Sequence, residues 1–151
     1  MTKNQRKGMT RNQSKAEAFL KKIREGERIL KTKRNELDAL QYKASRSGAI
    51  RYDNDHVQTT PQNYLEMAID DIIEIKKQID EIETETEEIK SKAYSIVRTL
   101  KVTDHRTVID WFYLNGLSMA QTADKMNMSE RTAYYLKDDA LEAFGIAMRK
   151  K

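Results

Sequence analysis

The stretch LEMAIDDIIEIKKQIDEIETETEEIKSKAYSIVRTL, residues 65–100, decides the fold. Leu65, Ala68, Ile72, Ile75, Ile79, Ile82, Thr86, Ile89, Ala93, Ile96 and Leu100 recur at alternating three- and four-residue steps, with charged residues in most places between. This is a heptad seam, and five consecutive heptads predict one helix of roughly 36 residues, about 54 Å long. Thr60-Pro61 marks its start. A seam this regular requires a partner. Leu65, Ile72, Ile75, Ile79, Ile82, Ile89 and Ile96 are therefore expected to line a hairpin with another helix of the same chain or an interface between copies.

Upstream, Ser14 and Glu17 form a capping-box signature, from which a helical pattern runs to about Gln41. Phe19, Ile23, Leu30, Leu37 and Leu40 make its stripe, interrupted by Gly26 and Lys33. Gly26 costs about 1 kcal/mol against alanine inside a helix and predicts a bend or a close approach. Charge divides unevenly along the chain. Residues 1–51 carry 15 Lys/Arg against 5 Asp/Glu, residues 52–100 carry 5 against 12, and residues 101–151 carry 8 against 7. The basic first helix complements the acidic second, which favours a hairpin. The second seam is longer and more regular than the first, which leaves apolar surface for a second copy. A homo-oligomer is expected, with a dimer favoured. Residues 1–13, with Lys3, Arg6, Lys7 and Arg11 and no acid, read as a basic disordered tail. Residues 42–63 lose the period and contain Ser45, Gly48, Asp53, Asn54, Asp55 and Pro61. They read as a flexible connector in which Arg46, Arg51, Tyr52 and His56 have recognition potential.

Downstream of Leu100, Thr103 or Asp104 is placed to cap a helix whose bulk is Val108, Ile109, Trp111, Phe112 and Leu114, closed by Asn115-Gly116. The run LSMAQTADKMNMSERTAYYLKDDALEAF, residues 117–144, then reads as two capped helices joined by a tight turn. Ser118 pairs with Gln121 as a capping box, and Ser129 caps the second helix. Ala120, Ala123 and Met126 form one apolar stripe, and Ala133, Leu136, Ala140 and Phe144 the other, with Asn127 and Met128 as the turn. Small residues at the crossing fit a helix-turn-helix. The expected chain is all-α: a tail over 1–13, a helical hairpin or coiled coil over 14–101 with a loop at 42–63, and a self-folding helix-turn-helix domain over 102–151.

Composition narrows the function classes. Of 151 residues 34% are charged and 7% aromatic, and there is no cysteine, so disulfides and thiolate metal sites are excluded. His56 and His105 stand in unrelated contexts, and no nucleophile-base set, phosphate loop or metal-ligand set appears. No enzyme activity, cofactor or metal is expected. No apolar run approaches a membrane span.

The run from Thr107 to Phe144 resembles the fourth conserved region of primary-type sigma factors, which reads the −35 promoter element. The resemblance rests on Tyr113-Leu114-Asn115-Gly116, Leu117-Ser118, Met128-Ser129 and Ala140-Leu141. With the long helices before it, the chain is similar to phage-encoded transcription regulators of Gram-positive hosts, the ArpU/RinA-type late-operon activators. That resemblance implies a sequence-specific DNA-binding regulator that acts on promoter DNA with host RNA polymerase in the bacterial cytoplasm. The chain has no counterpart to a promoter-melting region. Its second helix carries Arg131 and Lys137 beside Glu130, Asp138 and Asp139, fewer cations than sigma recognition helices hold. Burial of the Ala133 stripe turns Glu130, Arg131, Thr132, Tyr134, Tyr135 and Lys137 outward, with Arg131 placed to read guanine and Ser118 and Ser129 at phosphate positions. For Tyr135, packing on Trp111 is the competing placement. The competing functions are DNA packaging, as in a small terminase subunit, and a protein-binding adaptor.

Overall fold

The computed structural model describes residues 8–53 and 60–150, with side chains over 8–46 and 65–150. Every element among them is helical: α1 (Arg11–Asp53), α2 (Thr60–Val97), α3 (Thr103–Ile109) continuing into a π-helical segment (Asp110–Leu114), α4 (Met119–Lys125) and α5 (Glu130–Lys150). The chain divides into two compact units. Residues 28–53 and 60–85 form an arm, and residues 8–27 join residues 86–150 in a head.

The first helix starts earlier and ends later than its sequence pattern indicates. Thr10 Oγ1 accepts from the Gln13 amide at 3.0 Å, and Gln13 Oε1 accepts from the Thr10 amide at 2.8 Å. This reciprocal capping box sits one turn before the Ser14/Glu17 pair, so Arg11–Gln13 are helical rather than part of a disordered tail. At the other end α1 continues to Asp53 and α2 begins at Thr60, so most of the expected connector over 42–63 is helix. One glycine at position 48 costs about 1 kcal/mol, too little to stop a long helix that is already nucleated. Residues 54–59 lie outside the described residues, as do the side chains of Arg51, Tyr52 and His56.

In the arm the two helices pair through apolar residues. Leu30, Ile75 and Ile79 are buried, with Leu37, Leu40 and Ile82 packed around them. Arg34 and Glu83 form an ion pair at 2.5 Å across the two helices, about half exposed. Such a pair contributes at most about 1 kcal/mol, so burial of the isoleucine seam holds the arm together.

In the head the two irregularities of the seams meet each other. Thr86 is buried in the α2 seam, and a Cβ added at Gly26 would lie 2.3 Å from its Oγ1. The glycine thus permits a close approach of α1 to α2. Beside it Glu27 and Lys90 form an ion pair at 2.5 Å.

The head is not confined to residues 102–151. Its core joins Ala16, Leu20 and Ile23 of α1, Ala93, Ile96 and Val97 of α2, Leu100 just past the end of α2, Val108, Ile109, Tyr113 and Leu114, and Ala140, Leu141 and Phe144 of α5. The Phe19 and Phe144 rings lie 6.0 Å apart. Neither Thr103 nor Asp104 caps α3; Val102 occupies the cap without a side-chain bond. Arg106 instead donates to the Leu100 carbonyl and, at 3.0 Å, to Thr103 Oγ1. The π turn, closed by the Asn115 amide on the Asp110 carbonyl at 2.8 Å, turns Tyr113 as well as Leu114 into the core. Among the described residues no helix is long and apolar enough to cross a membrane.

Candidate nucleic-acid interface

The site is built from the start of α4 to the third turn of α5. Ser118 has an extended backbone, and its Oγ accepts from the Gln121 amide at 3.1 Å. Gln121 Oε1 accepts from the Ser118 amide at 2.9 Å, which completes the capping box. Thr122 Oγ1 donates to the Ser118 carbonyl at 2.9 Å, so its hydroxyl is satisfied and its side chain is fully buried. The inner face of α4 is consequently Met119, Thr122 and Ala123, whereas Ala120, expected at the crossing, is exposed. A capped, internally bonded threonine reads as polar in sequence but packs as an apolar residue.

Asn127 makes the turn in the left-handed region, at φ 57°. The Met128 amide donates to the Ala123 carbonyl at 3.0 Å and the Asn127 amide to that of Asp124 at 3.2 Å. That is a Schellman closure, and Met128 packs back on Met119, Ala123 and Ala133 as the motif requires. Ser129 Oγ accepts from the Thr132 amide at 3.1 Å and donates to Thr132 Oγ1 at 2.9 Å. The fully buried Ala133 carries the contact of α5 with α4.

With Ala133 inward, Glu130, Arg131, Thr132, Tyr134 and Tyr135 are exposed on the first turns of α5. Tyr134 is 46% and Tyr135 56% exposed. Tyr135 does not pack on Trp111. Its hydroxyl accepts from Arg131 Nε at 3.4 Å, one turn away, and the guanidinium lies 6.0 Å from its ring centroid. Trp111 is half-buried with Lys125 Nζ at 5.5 Å from its ring. Lys137 is half-buried, its ammonium 5.3 Å from the Tyr134 ring and 5.6 Å from the Phe112 ring. The hydroxyls of Ser118 and Ser129 are engaged in the caps, so their chemical role here is to fix the two helix starts. Thr132 accepts from Ser129, which leaves its own proton to donate outward.

A residue far upstream completes the site. Arg24 of α1 donates to the carbonyls of Phe112 and, at 2.9 Å, Leu117, and its guanidinium lies 4.1 Å above the Phe112 ring. It ties up carbonyls left open where the π segment ends and α4 begins. Phe112 is thus flanked by Arg24 and by Lys137 of α5. Further along, Gln13 Nε2 donates to the Asp138 carbonyl at 2.9 Å. Thr10 and Asn12 both donate to the Glu142 carboxylate, the latter at 2.7 Å. Gly145 lies against α1 so closely that a Cβ there would fall 2.3 Å from the Asn12 carbonyl oxygen. None of this is visible in local sequence, because each donor and acceptor is about 90 residues or more from its partner. The T-x-x-Q spacing at Thr10–Gln13 is a local signature of the helix start, alongside that of Ser14 and Glu17.

Electrostatics follow from these contacts. Hydrogen bonds from Thr10 first, then Asn12, hold the Glu142 carboxyl below its ordinary range. Asp138 is pushed the other way, first by desolvation and then by the Glu17 and Asp139 carboxylates, against the pull of Lys137. Burial pushes the Tyr113 phenol up, and its hydroxyl has no hydrogen-bond partner. Among the described residues no group of His, Asp and Glu could hold a metal ion.

Residues 50–144, from the end of α1 through the last core residue of α5, match a family described as a protein of unknown function, DUF1492. The chain belongs to the DUF1492 family. The matched segment of this DUF1492 protein contains all of α2, α3 and α4 and the exposed turns of α5, but not the part of α1 that carries Arg24, Leu20 and Ile23. No curated protein and no solved structure matches the chain.

Proposed function

We propose that this DUF1492 chain is a sequence-specific DNA-binding transcriptional regulator that presents the start of α5 to the major groove of promoter DNA. The observation that carries the reading is the α4–α5 crossing on Ala133, which leaves Arg131, Thr132, Tyr134 and Tyr135 exposed together on two successive turns. Arg131, steadied by Tyr135, suits bidentate reading of a guanine edge. Thr132 donates its free proton to a phosphate or base edge, and the tyrosines offer ring surface to thymine methyl groups. Over residues 8–27 and 86–150 the head holds 15 Lys/Arg against 12 Asp/Glu. Phosphate attraction is therefore modest, and specificity rests on base contacts. The similarity to phage late-operon activators supports a role beside host RNA polymerase in the bacterial cytoplasm.

Gel-shift titration on sites selected from genomic fragments tests the reading. Arg131→Ala is expected to weaken binding to the selected site by about 1–3 kcal/mol and to relax selectivity at one base pair. Unchanged affinity and selectivity would show that Arg131 does not enter the groove. Glu130, Asp138 and Asp139 on the same helix favour one other reading, a protein-binding adaptor. A wild-type chain that binds no DNA at low salt would move the assignment there.

A further inference from the structure

The heptad seam of α2 is largely covered within the chain: Ala68, Ile75, Ile79, Thr86, Ala93 and Ile96 are buried, and Leu65, Ile72, Ile82 and Ile89 are half-buried. Yet α2 carries a second apolar pair on its outer side, Ile69 at 46% and Ile73 at 59% exposed. Glu66 and Lys76, both exposed, extend the same face at steps of three, four and three residues. The stripe therefore reads Glu66, Ile69, Ile73, Lys76: an acid, two isoleucines, a base.

That order is self-complementary when reversed. Two copies of α2 laid antiparallel about a two-fold axis midway between Ile69 and Ile73 set Ile69 against Ile73 of the other copy. The same axis sets Glu66 against Lys76 of the other copy at both ends. Laid parallel and in register, the stripe would oppose Glu66 to Glu66 and Lys76 to Lys76. We propose that this outer stripe of α2 is an isologous docking surface for a second copy of the chain, in antiparallel register. A two-fold contact closes on itself, so the assembly stops at a dimer. The stripe offers four side chains per copy, well below the roughly 20–30 residues a side of a standard interface, so the dimer is a weak one. The interface does not involve α5 and stands independently of the DNA reading.

Sedimentation equilibrium of the full chain across roughly 5–500 µM tests this, a range chosen for the weak association that so small an interface implies. Wild type is expected to pass from monomer to dimer. Ile69→Ser with Ile73→Ser, both at exposed sites, should leave the helical content unchanged and the chain monomeric throughout. Glu66→Lys alone makes both end contacts like-charged and should weaken the dimer about fivefold or more, as should Lys76→Glu alone. The two exchanges in one chain restore opposite charges at both ends and should return the wild-type constant. A wild type that stays monomeric, a dimer indifferent to the serine pair, or a double exchange that fails to rescue would each overturn the proposal. Because the chain has no cysteine, a Cys introduced at Ile69 in one copy and at Ile73 in the other gives a second readout. Oxidation should cross-link the mixed pair in preference to either like pair.

Discussion

At the scale of single residues, the α4–α5 turn and the contacts of α5 with α1 are set by a few backbone and charge choices. Asn127 holds a left-handed conformation that glycine would adopt freely and a β-branched residue would not. Asn127→Val should lower stability in urea titration by roughly 1–2 kcal/mol, the cost of forcing that region on a side chain with a branched Cβ. Asn127→Gly should come out near neutral, since relief of strain is offset by greater chain entropy in the unfolded state. Two carboxyls give opposite pH signatures. Glu142 titrates below its ordinary value in the folded chain, so its stabilisation is complete above about pH 4.5 and is lost as pH falls through the lowered folded value. Asp138 titrates above its ordinary 3.8, so its charged form is penalised at neutral pH and the penalty fades as pH falls through the raised value. Thermal melts should therefore show Asp138→Asn more stable than wild type at pH 7, with the gap closing toward pH 3. Glu142→Gln should be less stable at pH 7, with its deficit shrinking below pH 4.5. A gap that does not move with pH would remove these assignments.

At the scale of elements, α2 and the α4–α5 pair were legible in sequence, and α1 only in part. The α2 seam could be read because its period never breaks over ten steps, and Ser118/Gln121 because both halves of the capping box lie within one turn. The beginning of α1 was not, since Thr10/Gln13 and Ser14/Glu17 both satisfy the same signature one turn apart. What selects the earlier one is Glu142, 130 residues downstream of Asn12. Likewise Arg24 looks like any surface cation until the Phe112 and Leu117 carbonyls are placed beside it. The apolar pattern places Ala120 inward because alanine is apolar, whereas the bond from Thr122 to the Ser118 carbonyl makes threonine the better inner residue. Gly26 announced a close approach in sequence, and the structure supplies its partner. Gly26→Ala should gain up to about 1 kcal/mol of helix propensity yet cost roughly 1–3 kcal/mol through overlap with Thr86. Thr86→Ala removes Oγ1 and Cγ2, so the double variant should be more stable than the sum of the two single changes predicts. A double-mutant cycle with no coupling energy would show that α1 and α2 do not meet there.

At the scale of the whole molecule, the α4–α5 pair depends on chain distant from it in sequence. A cut before Thr103 isolates everything a helix-turn-helix is usually said to contain, and residues 102–151 look self-sufficient by pattern. The structure argues otherwise. The cut removes Ala16, Leu20, Ile23, Ala93, Ile96, Val97 and Leu100 and uncovers Val108, Ile109, Tyr113, Leu141 and Phe144. At about 1.5–3 kcal/mol for each large side chain returned to water, the five together forfeit roughly 7–15 kcal/mol, more than the roughly 2–7 kcal/mol that a domain of this size has to lose. Arg24 goes as well, leaving open the carbonyls at the junction of the π segment with α4. The fragment from Thr103 onward should therefore melt without a cooperative transition, while the full chain unfolds with a sharp one. Adding residues 8–27 and 86–102 back, joined by a flexible linker that replaces the arm, should restore the transition, because those segments complete the core without the arm's seam. Circular dichroism of the three proteins distinguishes the cases. A short fragment that melted as sharply as the whole chain would mean that α1 merely rests on the head, and Arg24 would lose its place in the site.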